Sequence, residues 1–170
     1  MQTFRWTNDE PGCIFDPMRR LGWILMLMTT PILAQTAAPV DETAAITKPA
    51  LDYIEGWYTG DAARMESALH PELAKRIVIT NPETGQSRLD SMSAMTLVQR
   101  VRSGIGTKVP KEKQQKDVTI LDRFQNVAMV KVVAGEWVDY LQVAKFNGQW
   151  KIVNVLWELK PGSELARRLK

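Results

Sequence analysis

The residues best placed to do chemistry are few, and Asp139 leads them. The run Trp137 to Phe146, the pair Asn147-Gly148 and the run Gln149 to Leu159 read as a β-hairpin. Asn-Gly suits a type I′ turn, in which both central residues need positive φ. If Phe146 faces Gln149, then Leu141 faces Asn154 and Asp139 faces Leu156, which sets Asp139 and Asn154 diagonally adjacent on an otherwise apolar sheet face. A carboxylate there is expected to have a raised pKa through desolvation, the condition a general acid or base needs near neutral pH. Equally, Asp139 is a structural residue bonded to Asn154 and backbone. Asn154 in turn either orients a ligand carbonyl or only satisfies Asp139. His70, the one histidine, is either a catalytic base or the cap of a helix end beside Pro71. Ser91, Ser93 and Ser103 fall at helix ends, where capping accounts for them. With one histidine, one cysteine (Cys13) and no clustered carboxylates, no metal site and no cofactor are expected.

Aromatic residues form the second group. Tyr53, Trp57 and Tyr58 lie on one predicted helix, and Trp137, Trp150 and Trp157 lie on predicted strands. Such side chains build either a core or the walls of a site for a flat aromatic ligand. Arg76 is either a partner for an anionic group of that ligand or an exposed strand charge.

The elements that position these residues follow from periodicity. Thr47 offers an N-cap with Pro49 in the first turn, and Leu51, Ile54, Trp57 and Tyr58 recur at helical spacing until Gly60. Asp61 caps a second short helix that ends near His70-Pro71. Ala74 to Thr80 reads as a strand, and Ser91 or Ser93 caps a third helix that stops at Gly104. Strands follow at Lys116 to Phe124, Val127 to Ala134, Trp137 to Phe146 and Gln149 to Leu159, forming an antiparallel meander. The registers gather Thr119, Leu121, Ala128, Val130, Val132, Trp137, Leu141, Val143, Trp150, Ile152 and Leu156 on one face with Asp139 and Asn154. The other face mixes Val118, Ile120, Met129, Val138, Tyr140, Val155 and Trp157 with Lys131, Gln142 and Lys151, which marks it as a candidate homodimer surface. Helices first and sheet after predict an α+β fold.

The N-terminal residues read as an export signal. Met18-Arg19-Arg20 supplies a basic start, Leu21 to Leu33 a short apolar run and Ala34 a small residue at a cleavage point. The run is too short and interrupted to span a bilayer comfortably, so no stable membrane insertion is expected after cleavage, and the protein is expected in the periplasm or secreted. Met18 is an alternative start. The chain thus divides into a signal peptide at 1–34, a flexible linker at 35–46, one domain at 47–160 and a C-terminal tail at 161–170. The net charge of +3 does not call for nucleic acid, and Lys108, Lys111, Lys113 and Lys116 read as a solvated loop.

Three helices followed by a curved meander, with Tyr53-Ile-Glu-Gly-Trp-Tyr-Thr-Gly-Asp61, Ala68-Leu-His-Pro71, Asp139-Tyr-Leu and Asn154-Val-Leu-Trp157, resemble the putative lumazine-binding family. That family belongs to the nuclear-transport-factor-2-like, SnoaL-like superfamily. The resemblance implies a cone-shaped half-barrel whose helices and concave sheet enclose a pocket, with Ala68-Leu-His-Pro71 at its rim. The aromatic residues and the hairpin register add the expectation of a small hydrophobic or aromatic partner, touched by Tyr53, Trp57, His70, Asp139 and Asn154. No catalytic set transfers with it, since the superfamily holds enzymes and binding proteins alike. The readings are therefore an exported binding protein, a cofactor-free isomerase, dehydratase or cyclase in which Asp139 moves a proton and His70 or Tyr53 assists, or a dimeric interaction module.

Overall fold

The computed structural model describes residues 41–168, so the expected export signal lies outside the described residues. Helix α1 spans Thr43–Thr59 and begins before the expected cap at Thr47, inside the stretch read as linker. The cause is tertiary. Ile46 is fully buried, and Glu42 just ahead of the helix takes hydrogen bonds from Lys145 Nζ (2.9 Å) and Trp150 Nε1 (2.7 Å). These contacts extend the helix upstream, leaving Pro49 in its interior instead of its first turn. Gly60, at φ 73°, closes it in the left-handed conformation that glycine adopts without strain.

Helix α2 (Ala62–Ala68) is capped by Asp61, whose carboxylate accepts the Arg64 N–H at 2.9 Å. It packs closely on α1 at Gly56, where a Cβ would lie 3.1 Å from Asp61 O and Met65 N. Strand β1 (Leu69–Thr80) starts directly after α2, so His70 and Pro71 stand in a strand and not at a helix end. The β1 pairing is irregular between Leu69 and Ala74, a place in a sheet where proline is tolerated.

A turn in which Asn81 Oδ1 accepts the N–H groups of Glu83 and Thr84 leads into β2 (Ser87–Ser93). No strand is expected there, because Ser-Arg-Leu-Asp-Ser-Met-Ser carries no apolar alternation. Its pairing with β1 defines it. Ser93 then caps α3 (Ala94–Arg102), its Oγ accepting the Thr96 N–H at 3.2 Å. Two short 3-10 turns, Gly106–Lys108 and Lys111–Lys113, form the connection to the meander, with Lys108, Lys111 and Lys113 exposed as expected.

Strands β3 (Lys116–Phe124), β4 (Val127–Ala134), β5 (Trp137–Phe146) and β6 (Gln149–Leu159) keep the boundaries read from the sequence. The last hairpin turns at Asn147 and Gly148, both with positive φ. The sheet is larger than the meander, however. Its order is β2-β1-β6-β5-β4-β3, and β1 runs parallel to β6, so the sheet is mixed and not wholly antiparallel. Helices cover one face of this unclosed sheet, the α+β arrangement expected from the chain order. A short helix α4 (Glu164–Arg168) occupies the segment read as tail.

Two bulges revise the registers. In β5–β6, Phe146 pairs with Gln149 as expected, but the ladder shifts between Gln142 and Val143, so that Asp139 faces Trp157 and Leu141 faces Val155. In β3–β4 a shift between Ile120 and Asp122 turns Val118 and Ile120 inward. Thr119, Leu121 and Leu156, expected in the core, are consequently exposed. An extra residue in one strand reverses the facing of everything beyond it. The core itself is apolar, with Ile46, Ile54, Met65, Val130, Val132, Leu141 and Ile152 essentially inaccessible.

Candidate functional site

Asp139 is fully buried on the helix-covered face of β5, as its strand position predicted, but its neighbours differ from those expected. Lys75 of β1 forms an ion pair with Asp139 Oδ1. Asp139 Oδ2 accepts the Tyr53 hydroxyl at 3.1 Å from α1 and the Trp137 indole N–H at 2.6 Å from two residues back on β5. Lys75 Nζ also donates to Tyr53 Oη at 2.6 Å. Above it lies the Trp157 ring, with Nζ 4.6 Å from the centroid, a cation–π contact. Three elements thus converge. Helix α1 brings Tyr53, the parallel β1–β6 pairing brings Lys75 beside Val155, and β5 brings Trp137 and Asp139 on alternate inward positions.

An aromatic wall surrounds this polar group. Trp137 meets Trp57 edge-on at 5.8 Å between centroids and Trp157 edge-on at 6.5 Å. The indole N–H groups of Trp57 and Trp157 are shut off from solvent and have no acceptor among the described residues. Behind Trp57, Gly106 approaches so closely that a Cβ there would sit 2.1 Å from Trp57 O, which fixes the loop against the helix.

Burial sets the ionisation of the group. It holds the Tyr53 hydroxyl well above its ordinary pKa, with the adjacent Asp139 carboxylate adding to the effect. Burial also lowers the Lys75 pKa, against the opposing pull of Asp139. Asp139 is therefore held by Lys75, Tyr53 and Trp137 and not by Asn154, the neighbour expected from the hairpin register. It has a cationic partner and accepts from three side chains, an arrangement suited to holding a fixed charge pattern.

The remaining predicted residues are dispersed. Asn154 does not adjoin Asp139. The β5–β6 bulge places it opposite Gln142 on the other face, where its Nδ2 donates to Gln142 Oε1 at 2.9 Å. His70 stacks on Phe146 at 4.4 Å, and its Nδ1 accepts the Glu72 N–H at 3.2 Å. It lines a small concavity of about 140 Å³ with Leu69, Met95 and Val98. Its neighbour Leu69 pairs with Ile152, well along β6 from the Trp157 that faces Asp139, so His70 belongs to another region. Tyr58 ties loops together, donating to Gln115 O and accepting the Gly135 N–H. Arg76 is exposed on the outer face opposite Leu156, and Trp150 bonds Glu42. A second concavity of about 330 Å³, lined in part by Phe124, Val127 and Met129, also excludes Lys75 and Asp139. Among the described residues no group of three or more His, Cys, Asp or Glu is placed to hold a metal ion, and no helix is long and apolar enough to cross a membrane.

Lys75 is the functional candidate that sequence reasoning missed. Its signal was the alternation Leu73, Lys75, Ile77, in which the flanking residues are both buried and the lysine shares their face.

Helices packed on an unclosed mixed sheet define an NTF2-like α+β protein. Solved NTF2-like proteins of unknown function share this fold. One from Shewanella baltica is 17% identical, covering 74% of this chain and 98% of that one at a TM-score of 0.56. One from Silicibacter pomeroyi is 19% identical, covering 70% and 96% at 0.54. One from Methylobacillus flagellatus is 19% identical, covering 73% and 96% at 0.53. The family described as putative lumazine-binding matches residues 41–158, and the chain belongs to that family. No curated protein matches the chain.

Proposed function

We propose that this chain is an exported protein that binds a small planar aromatic molecule between α1 and the sheet, with Tyr53, Lys75 and Asp139 as polar floor and Trp57, Trp137 and Trp157 as walls. The observation that carries the reading is the Lys75–Asp139 pair, buried among tryptophans in an otherwise apolar interior. Apolar residues of similar volume stabilise a core as well as or better than such a pair, so stability alone gives little reason for it. Ligand entry requires Trp157, which is partly buried and lies over Lys75, to swing aside. The family's description makes lumazine the natural first probe. Titration with lumazine should quench tryptophan fluorescence saturably, and the doubly apolar variant Lys75→Met/Asp139→Leu should lose the response. Equal quenching in both would refute the site.

A proton-transfer enzyme is the weaker reading, because Asp139 already accepts from Lys75, Tyr53 and Trp137. Export rests on the leader features of residues 18–34. N-terminal sequencing of protein recovered outside the cytoplasm should begin near Gln35, and an intact leader on cytoplasmic protein would count against it.

Dimerisation is proposed through the outer sheet face, with a revised membership. Val155 is buried and Trp157 packs on the core, so neither belongs to that face. Tyr140 and Leu156 pair across β5–β6 at 42% and 56% exposure, and Val78 and Leu89 pair across β1–β2 at 56% and 60%. Two cross-strand apolar pairs on one exposed face favour a second copy as occupant. Tyr140→Glu should convert a dimer to monomers in sedimentation, while a wild type that is monomeric at micromolar concentration would remove the dimer from the account.

A further inference from the structure

We infer that the ligand of this interior site presents hydrogen-bond acceptors, and not donors, to the tryptophan cluster. The inference rests on the binding reading above and narrows it to a chemical class: planar heterocycles or carbonyl compounds with acceptor-bearing edges.

The donor and acceptor inventory leads there. Asp139 is the carboxylate of the cluster; its Oδ1 takes Lys75, and its Oδ2 takes both Tyr53 and Trp137. Tyr53 is satisfied in both senses, donating to Asp139 and accepting from Lys75. Lys75, with three hydrogens, directs its charge at Asp139, at Tyr53 and at the face of Trp157. What remains is two indole N–H groups, on Trp57 and Trp157. Both are enclosed and without acceptors, and both belong to rings that meet Trp137 edge-on. An indole nitrogen can only donate. Enclosed polar groups are nearly always paired in native proteins, so a ligand that supplies acceptors to these two gains hydrogen bonds that the described residues do not make. A donor-bearing ligand finds Asp139 enclosed and already engaged by three side chains.

The test uses three flat bicyclic probes of similar size on the full chain: quinoline, an acceptor only; indole, a donor only; and naphthalene, neither. Chemical-shift titrations of the 15N-labelled protein give affinities and report the indole N–H signals, assigned through Trp57→Phe and Trp157→Phe. Quinoline should bind at least about fivefold more tightly than the other two and move the Trp57 or Trp157 N–H signal downfield, as a new hydrogen bond does. The Phe variants keep an aromatic ring but lose the N–H donor, and should erase quinoline's advantage over naphthalene measured on the same variant. Equal binding of all three probes at the cluster, or tighter binding of indole, would overturn the acceptor rule and leave the binding site standing. If no probe perturbs Tyr53, Lys75 or the three tryptophans, the interior site itself fails and the rule with it.

Discussion

Replacing Lys75 with methionine is expected to lower stability by about 3–5 kcal/mol, the usual cost of removing one partner from a buried ion pair. The side chain of Lys75 is 5% exposed and that of Asp139 is 0% exposed, so water cannot take over the missing charge. After the change Asp139 would keep only Tyr53 and Trp137 as donors in an apolar interior. Asp139→Leu should cost a similar amount for the opposite reason, an ammonium left among Tyr53 and Trp157. Combining the two should recover most of the loss, because neither charge is then stranded. Urea unfolding of the wild type, both single variants and the double variant measures the coupling directly. Single losses below about 1 kcal/mol would mean that the pair is solvated and exposed to bulk water.

Trp137→Ala should be of comparable severity, about 3–5 kcal/mol, since it removes a buried ring on which Trp57 and Trp157 both rest. Trp137→Phe separates the two contributions of that residue. It keeps most of the ring contact but deletes the 2.6 Å hydrogen bond to Asp139, for an expected loss of about 1.5–3 kcal/mol because the acceptor is charged. Near-wild-type stability in the Phe variant would show that Asp139 relies on Lys75 and Tyr53 alone. Urea midpoints for the three proteins decide this, provided their unfolding slopes agree.

Much of this architecture was legible in the sequence. The last four strands announce themselves through β-branched and aromatic runs separated by two-residue turns, and Asn147-Gly148 fixes its own hairpin locally. Asp139 was recognisable as an inward carboxylate because Trp137 and Leu141 on either side of it are large and apolar. What lay beyond reach was set by distant contacts. The bulge at Val153, between Ile152 and Asn154, leaves no local mark, yet it exchanges Asn154 for Val155 and Trp157 on the inner face. The parallel pairing of β1 with β6 joins strands separated by the whole meander, so nothing near Lys75 announces that its partner is Asp139. His70 drew attention through its rarity and proline neighbour, but the chain enters β1 there without a break, and the ring spends its face on Phe146. The early start of α1 depends on Glu42 reaching Lys145 and Trp150 more than a hundred residues away.

The central claim is that a small planar molecule binds over the Lys75–Asp139 pair. Native mass spectrometry of protein purified without denaturation, before and after addition of lumazine, tests it most directly. The account predicts a one-to-one adduct per chain that survives in Tyr140→Glu, on the outer face, and disappears in folded Lys75→Met/Asp139→Leu. An adduct retained by the doubly apolar variant would place the ligand elsewhere, and no adduct on either the native or the lumazine-treated wild type would contradict the claim.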